Sequence, residues 1–184
     1  MVRRFPNQNE PASPIEAARR SLEEFGGTHG PEDVAGCCLA LGIQMEQANE
    51  FEVACEFYAR GIELHPRSGH VRYFLNNNIG YSLNQLRRFT EAEPYCRAAI
   101  EVEGRRHNAY KNLGVSLTGQ KRYAEAAVHF VQATRACPGD RRALRCLERL
   151  VIEAPEILSL VPNLQEDLED CRTLDERSSS ASMN

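Results

Sequence analysis

The sequence of 184 residues contains no tryptophan, few aromatic residues (7%) and no long hydrophobic segment. This composition disfavours an all-β sandwich, which relies on aromatic and β-branched residues. The longest apolar stretch, residues 35–43, is about half the length that a transmembrane helix requires. Residues 1–14 are polar, contain three prolines and lack the apolar core of a secretion signal. We therefore expect a soluble cytoplasmic protein without a membrane segment.

The charge also lacks a strong bias. Lysine and arginine number 22 against 26 aspartates and glutamates, which gives a net charge of -4 at pH 7. A nucleic-acid-binding domain would normally be strongly basic, so nucleic acid is not the expected partner. Hydrophobic residues (42%) and charged residues (26%) have globular proportions, which excludes wholesale disorder. The length suits one domain, and the composition favours a helical one.

Residue patterns typical of catalytic or metal sites are missing. The seven cysteines include no Cys-x-x-Cys pair, and most lie in helical patterns where cysteine acts as a small buried hydrophobic residue. The five histidines do not stand at metal-ligand spacing with cysteine, aspartate or glutamate. No glycine-rich phosphate loop, nucleophile elbow or zinc-helix motif occurs. We predict that the chain is not an enzyme and uses no metal or cofactor.

The sequence does contain an internal repeat. Three segments place an apolar residue directly before a glycine, and the glycines (Gly42, Gly80 and Gly114) are 38 and 34 residues apart. Twelve residues after each glycine stands an alanine, four further on a larger residue or cysteine, and three further on a small residue. These matching positions are Ala54, Tyr58 and Gly61, then Ala92, Cys96 and Ala99, then Ala126, Phe130 and Ala133.

Each repeat unit holds two helical windows of about 12–14 residues, which are too short to be stable alone. Small residues at the glycine and alanine positions allow two antiparallel helices to approach closely, and larger apolar residues fill the space between them. A single helix pair cannot bury both of its faces. The units are therefore predicted to stack into a right-handed solenoid.

This pattern resembles the tetratricopeptide repeat, a helix-turn-helix unit of about 34 residues. In the third unit Tyr110 stands where the family often has tryptophan, Leu113–Gly114 match its Leu-Gly pair, and Pro138 closes the unit. The second unit departs most, with Asn76 in place of the aromatic residue. The resemblance covers residues 35–140 and implies an all-α superhelix of three repeats with capping helices at both ends.

Helix boundaries follow from capping residues. Ser13 with Glu16 and Asn49 with Glu52 predict capping boxes, and Asp140 is a good N-cap for a helix after the third repeat. We expect disordered tails at 1–12 and 176–184, an N-terminal helix and connection at 13–34, repeats at 35–68, 69–106 and 107–140, and capping helices that form a degenerate fourth repeat at 141–175.

The last predicted helix has a strongly acidic face, and two placements are open for it. It could fold into a basic groove as a ligand mimic, or it could pack as the second helix of the degenerate repeat. Short connections usually join antiparallel neighbours, which favours the second placement. The acidic residues are Glu166, Asp167, Glu169, Asp170, Asp175 and Glu176.

The resemblance implies that the first helix of each repeat lines a concave groove that holds a partner segment. Asparagine can hydrogen-bond a peptide backbone, and arginine can bind carboxylates, so we predict a protein or peptide partner with an apolar anchor and acidic residues. The arginines could equally serve only to keep a terminal helix solvated. By position, the groove residues are Phe74, Asn77, Asn78, Tyr81, Asn84, Asn108, Lys111, Asn112, Arg142, Arg145 and Arg149.

Some members of the family bind the C-terminal carboxylate of chaperones through a clamp of five residues. Only Asn78 matches this clamp, although Arg142 could supply a positive group one repeat later. The predicted function is a non-catalytic adaptor or scaffold. A small chaperone similar to type III secretion translocator chaperones, or a subunit that self-assembles through its exposed ends into a homo-oligomer, are the alternatives. The clamp positions in this sequence are Leu39, Ile43, Asn78, Asn108 and Asn112.

Overall fold

The computed structural model describes residues 13–181, and within this range all regular structure is helical. The predicted all-α fold is therefore confirmed. None of the described helices combines the length and apolarity needed to cross a membrane. The helices are α1 (Pro14–Gly26), α2 (Pro31–Gln47), α3 (Phe51–Glu63), α4 (Gly69–Gln85), α5 (Phe89–Val102), α6 (His107–Gly119), α7 (Tyr123–Ala136), α8 (Arg141–Glu153), α9 (Ile157–Leu160) and α10 (Leu164–Ala181).

The helices pack as a stack of pairs. Helix α2 packs on α3, α4 on α5 and α6 on α7, and the second helix of each pair also packs against the first helix of the next. The first helices contact one another in order, from α2 to α4, α6 and α8. These four helices form a continuous layer, which we call the inner wall.

Each pair closes tightly at the predicted glycine. A β-carbon at Gly42 would overlap the ring of Tyr58. At Gly80 it would lie 2.6 Å from Cys96 Sγ, and at Gly114 it would lie 2.6 Å from Phe130 Cε1. The repeat positions that pair a glycine with Tyr58, Cys96 or Phe130 are therefore in direct contact in all three pairs, as the sequence pattern predicts.

Both ends of the stack are capped. Leu22 of α1 is fully buried in the hydrophobic core that α1 shares with α2 and α3. The predicted Ser13–Glu16 capping box at the start of α1 is present with both of its hydrogen bonds. At the other end, α10 packs across α7 and α8 and buries Leu164 and Leu168 against the third pair. These contacts hide the apolar faces that an uncapped solenoid would expose.

The unequal spacing of the glycines reflects the lengths of the first helices. Helices α2 and α4 have 17 residues, whereas α6 and α8 have 13. The extra turn between Gly42 and Gly80 lies at the start of α4, which begins at Gly69. Helix α2 likewise begins at Pro31, one turn before the predicted start of the first repeat at residue 35.

One predicted helix cap is wrong. The N-cap of α3 is Glu50, which makes no side-chain cap, and Asn49 has a left-handed backbone with φ of 61°. Arg87 and Lys121 occupy the same place in the next two turns, with φ of 60° and 62°. All three pairs therefore share one turn geometry. Asn49 cannot act as an N-cap because the turn needs it in a left-handed conformation.

The predicted C-terminal tail is also partly wrong, because α10 continues to Ala181 and residues 176–181 are helical. An ion pair supports the last turns of the helix, since Arg141 Nη2 lies 2.9 Å from Oδ2 of the buried Asp175. Residues 1–12 and 182–184, the remainder of the two predicted tails, lie outside the described residues.

Substituting alanine for the crossing glycines should destabilise the chain. We expect Gly42→Ala and Gly114→Ala to lower the free energy of unfolding by about 1–3 kcal/mol each, because the added methyl group overlaps an aromatic ring. Gly36 lies on the same helix as Gly42 and has no atom near its β-carbon position, so Gly36→Ala should be neutral or stabilising by up to about 1 kcal/mol. Chemical denaturation measures all three, and equal effects of Gly36→Ala and Gly42→Ala would contradict the tight crossing.

The shared turn gives a second test, in which residues are exchanged between equivalent sites. Asparagine adopts the left-handed conformation at lower cost than lysine, so Lys121→Asn should stabilise the chain by about 0.5 kcal/mol and Asn49→Lys should destabilise it by a similar amount. Both residues are exposed, which limits other effects. Shifts of the denaturation midpoint in the same direction for both variants would show that backbone conformation does not decide the result.

Candidate functional site

Three of the predicted groove asparagines are buried between α4 and α6. Asn77, Asn84 and Asn112 are 7%, 7% and 3% exposed. Asn84 Nδ2 donates to the Asn112 carbonyl oxygen at 2.9 Å, and Asn112 Nδ2 donates to Asn77 Oδ1 at 3.1 Å. Ser116 Oγ donates to Asn84 Oδ1 at 2.9 Å. These buried amides join two repeats through hydrogen bonds within the chain, and their role toward a partner stays a prediction.

A second set of hydrogen bonds joins α4 to both helices of the first pair, α2 and α3. Ser82 Oγ donates to Glu46 Oε1 at 2.7 Å, and Asn78 Nδ2 donates to the Tyr58 hydroxyl at 3.5 Å. Burial raises the pKa of Glu46, although hydrogen bonds from Ser82 and Tyr58 act in the opposite direction. We call these two sets of hydrogen bonds together the polar seam. Separating the first helices would leave these buried polar groups without hydrogen bonds, which costs free energy. The seam therefore helps to hold the inner wall together.

The polar seam extends further than the sequence indicated. Asn77 Nδ2 donates to Asn78 Oδ1 at 2.9 Å, which leaves Asn78 half-buried between the two sets. Ser82 and Ser116 were not predicted as part of any site, and Glu46 stands at a groove position of the first repeat by the family pattern. Their small or polar side chains at inward positions of α2, α4 and α6 were the available signal.

The remaining predicted residues are accessible, and several of them meet. Arg142 Nη2 of α8 donates to Asn108 Oδ1 of α6 at 3.2 Å. The Arg142 guanidinium also interacts electrostatically with the Tyr81 hydroxyl of α4 and with the Lys111 ammonium of α6. Tyr81, Asn108 and Lys111 are partly exposed, whereas Arg142 is exposed. The structure therefore brings residues of three predicted repeats to one place, which we call the basic patch.

Phe74 lies away from the basic patch, near the beginning of α4. The Arg106 guanidinium lies 5.1 Å from the centre of the Phe74 ring and 4.9 Å from that of Tyr73. The centre of the His70 ring lies 4.7 Å from the centre of the Phe74 ring. Phe74 is therefore partly covered by cation–π and ring contacts, and Arg106 was not identified from the sequence.

The charges of the basic patch are unevenly compensated. Hydrogen bonds from Arg142 hold the pKa of Asp140 well below its ordinary value, and Asp140 Oδ2 also lies 2.8 Å from His107 Nε2. Within residues 13–178, Lys111 and Arg145 make no hydrogen bond or ion pair with their side chains. Burial, and to a smaller extent Arg142, lowers the pKa of Lys111, whereas the Asp140 carboxylate raises it. Lys111 of the patch and Arg145, three residues after Arg142 on α8, are therefore positive groups without a hydrogen bond or ion pair in that range.

Helix α10 is directed away from this patch. Arg135 Nη2 lies 2.6 Å from Asp167 Oδ1, and Arg172 Nε lies 3.1 Å from Glu148 Oε1. Arg141 and Glu148, which α10 contacts, are seven residues apart on α8 and share a face. Arg142 and Arg149, also seven residues apart, form a neighbouring face of that helix, and Arg145 lies between the two faces. The acidic helix thus packs as a capping helix, and its placement in the groove is wrong.

The standard carboxylate clamp is not assembled. Two of its positions are the apolar residues Leu39 and Ile43, and Asn112 is used in the polar seam. Asn108 is bound to Arg142. Any binding of an anionic group on the inner wall must therefore use a different set of residues.

The comparisons with known proteins agree with this architecture. A family model described as "Tetratricopeptide repeat" matches residues 75–105, which include most of α4 and all of α5. The Drosophila melanogaster protein named "Protein O-mannosyl-transferase Tmtc3" is 27% identical over 127 residues. The match covers 68% of this chain but only 13% of that protein, so most of that protein has no counterpart here.

Solved structures of similar fold cover most of the described helices. The second TPR domain of human RPAP3, solved in complex with an HSP70 peptide, is 25% identical with a TM-score of 0.61 over 66% of this chain and 98% of that chain. The Saccharomyces cerevisiae Hsp90 co-chaperone Cns1 is 17% identical with a TM-score of 0.67 over 86% of this chain and 49% of that chain. The helix pairs, the family match in the second repeat and these likenesses together show that the chain has a tetratricopeptide-repeat fold.

Proposed function

We propose that the chain is a non-catalytic protein-interaction module whose basic patch binds an acidic segment of a partner protein. The observation that carries this proposal is the pair of positive groups, Lys111 and Arg145, which make no hydrogen bond or ion pair within residues 13–178 and lie near Arg142 on the inner wall. A partly buried ammonium without a hydrogen-bond acceptor is energetically unfavourable. A carboxylate of the partner would supply the missing interaction.

The chemistry of the patch suits carboxylates. Arg145 is exposed and can form a bidentate pair with a carboxylate. Lys111 of α6 is less exposed than Arg145, lies near residues of α8 and presents a single point charge. Asn108 and Tyr81 add polar groups at its edge. A bound carboxylate would favour the charged form of Lys111 and raise the pKa that burial has lowered.

Similar domains bind acidic peptides. Two solved domains of RPAP3-type proteins are complexes with the HSP70 peptide SGPTIEEVD and the HSP90 peptide SRMEEVD. Leu39 and Ile43 replace clamp residues here, so we propose a partner segment distinct from these chaperone tails. The location in the cytoplasm, the chaperone alternative and self-assembly stay predictions.

Reversing charge in the patch should weaken partner binding. Peptides enriched from a random display library against the purified chain supply the probes, and acidic residues should be common among them. Lys111→Glu or Arg145→Glu should each reduce affinity by roughly tenfold or more, because a charge-assisted contact becomes repulsive. Fluorescence anisotropy of a labelled enriched peptide measures the change.

Arg20→Glu is the matched control, since it makes the same change in net charge on the exposed face of α1. It should leave affinity unchanged apart from a small effect at low salt. Enriched peptides without acidic residues, or equal losses in Arg20→Glu and Arg145→Glu, would refute binding at the basic patch.

A further inference from the structure

An apolar pocket opens on the inner wall beyond the basic patch. It lies between the C-terminal halves of α6 and α8 and has a volume of about 140 Å³. Val115 and Gly119 line it from α6, Leu150 lines it from α8, and the Phe89 ring forms part of its floor. A cavity of about 150 Å³ can hold a molecule the size of benzene. The pocket is therefore large enough for one apolar side chain.

The pocket owes its aromatic floor to Gly119. A β-carbon at this position would overlap the Phe89 ring, so only glycine allows the ring to lie against the end of α6. The glycine also leaves that side of the pocket without a side chain.

The pocket and the basic patch lie on one continuous track. Arg142, Arg145 and Arg149 share a face of α8, and Arg149 lies on the pocket rim together with Glu153. On α6, Lys111 of the patch and Val115 of the pocket are one helical turn apart. An occupant bound at the patch can therefore extend along α8 into the pocket.

From this arrangement we infer that the partner segment carries an apolar side chain about three residues from its acidic group, and that this side chain fills the pocket. The seven residues from Arg142 to Arg149 span roughly 10 Å of helix axis, which an extended peptide covers in about three residues. This inference rests on the proposed function, because the acidic group places the segment. The positive patch and the apolar pocket together suit one bipartite ligand.

A display selection on the wild-type chain and on one variant tests the inference. Peptides enriched on the wild-type chain should combine an acidic residue with Leu, Ile, Met or Phe about three positions away. Thr118 also lines the pocket, and Thr118→Trp should fill it. Selection on that variant should keep the acidic preference and lose the apolar one. For an enriched peptide, replacing its apolar residue by serine should weaken binding to the wild-type chain by about tenfold and to Thr118→Trp hardly at all.

The outcomes separate the two proposals. Peptides enriched in acidic residues without a spaced apolar residue would overturn the pocket and leave the proposed function standing. Peptides without acidic residues would overturn both. An apolar preference that persists in Thr118→Trp, with the variant folded by circular dichroism, would place the apolar side chain elsewhere and overturn the inference.

Thiol labelling gives a second test that needs no substitution. Cys146 lines the pocket, whereas Cys37 is on α2 and is also partly exposed. A saturating enriched peptide should slow alkylation of Cys146 by about tenfold or more and leave Cys37 unchanged, as mass spectrometry of the digested chain would show. Equal rates at Cys146 with and without the peptide would contradict occupation of the pocket.

Discussion

The close crossing of two helices at a glycine is the constraint on which the rest of this structure depends. Gly42, Gly80 and Gly114 let Tyr58, Cys96 and Phe130 lie directly against the backbone of the first helix. This contact fixes the distance and rotation of each helix pair. It thereby decides which residues of α2, α4 and α6 face inward, since rotating a helix by one residue turns its side chains by about 100°.

The inner wall divides its polar residues between two tasks. The polar seam satisfies buried amides and hydroxyls between neighbouring first helices, which joins the repeats at defined angles. The basic patch keeps its charges accessible, because the carboxylates of α10 pair with Arg135 and Arg141 on other faces of α7 and α8. The capping helix therefore stabilises the end of the stack without neutralising the surface that we propose binds a partner.

The sequence was most informative where a position demands one type of residue. The glycines and alanines of the crossings repeat because nothing larger fits, and they predicted the three helix pairs and the contact partners. Burial of the groove asparagines was not visible, because it depends on the distance between α4 and α6, which are separated by a complete helix. Asparagine suits both an N-cap and a left-handed turn, so the sequence did not decide which of the two roles Asn49 has. The helical structure near residue 175 is supported by the ion pair between Asp175 and Arg141, a residue more than thirty positions earlier in the chain.

The state of Lys111 tests the account most directly. Nitrogen NMR of the labelled side chain can follow its protonation in the complete chain, free and bound to an enriched acidic peptide. We expect a pKa below the ordinary value of lysine in the free chain, because burial and Arg142 disfavour the charge, and a higher pKa in the complex. An ordinary pKa that the peptide leaves unchanged would contradict the claim that this ammonium lacks a partner and acquires one on binding.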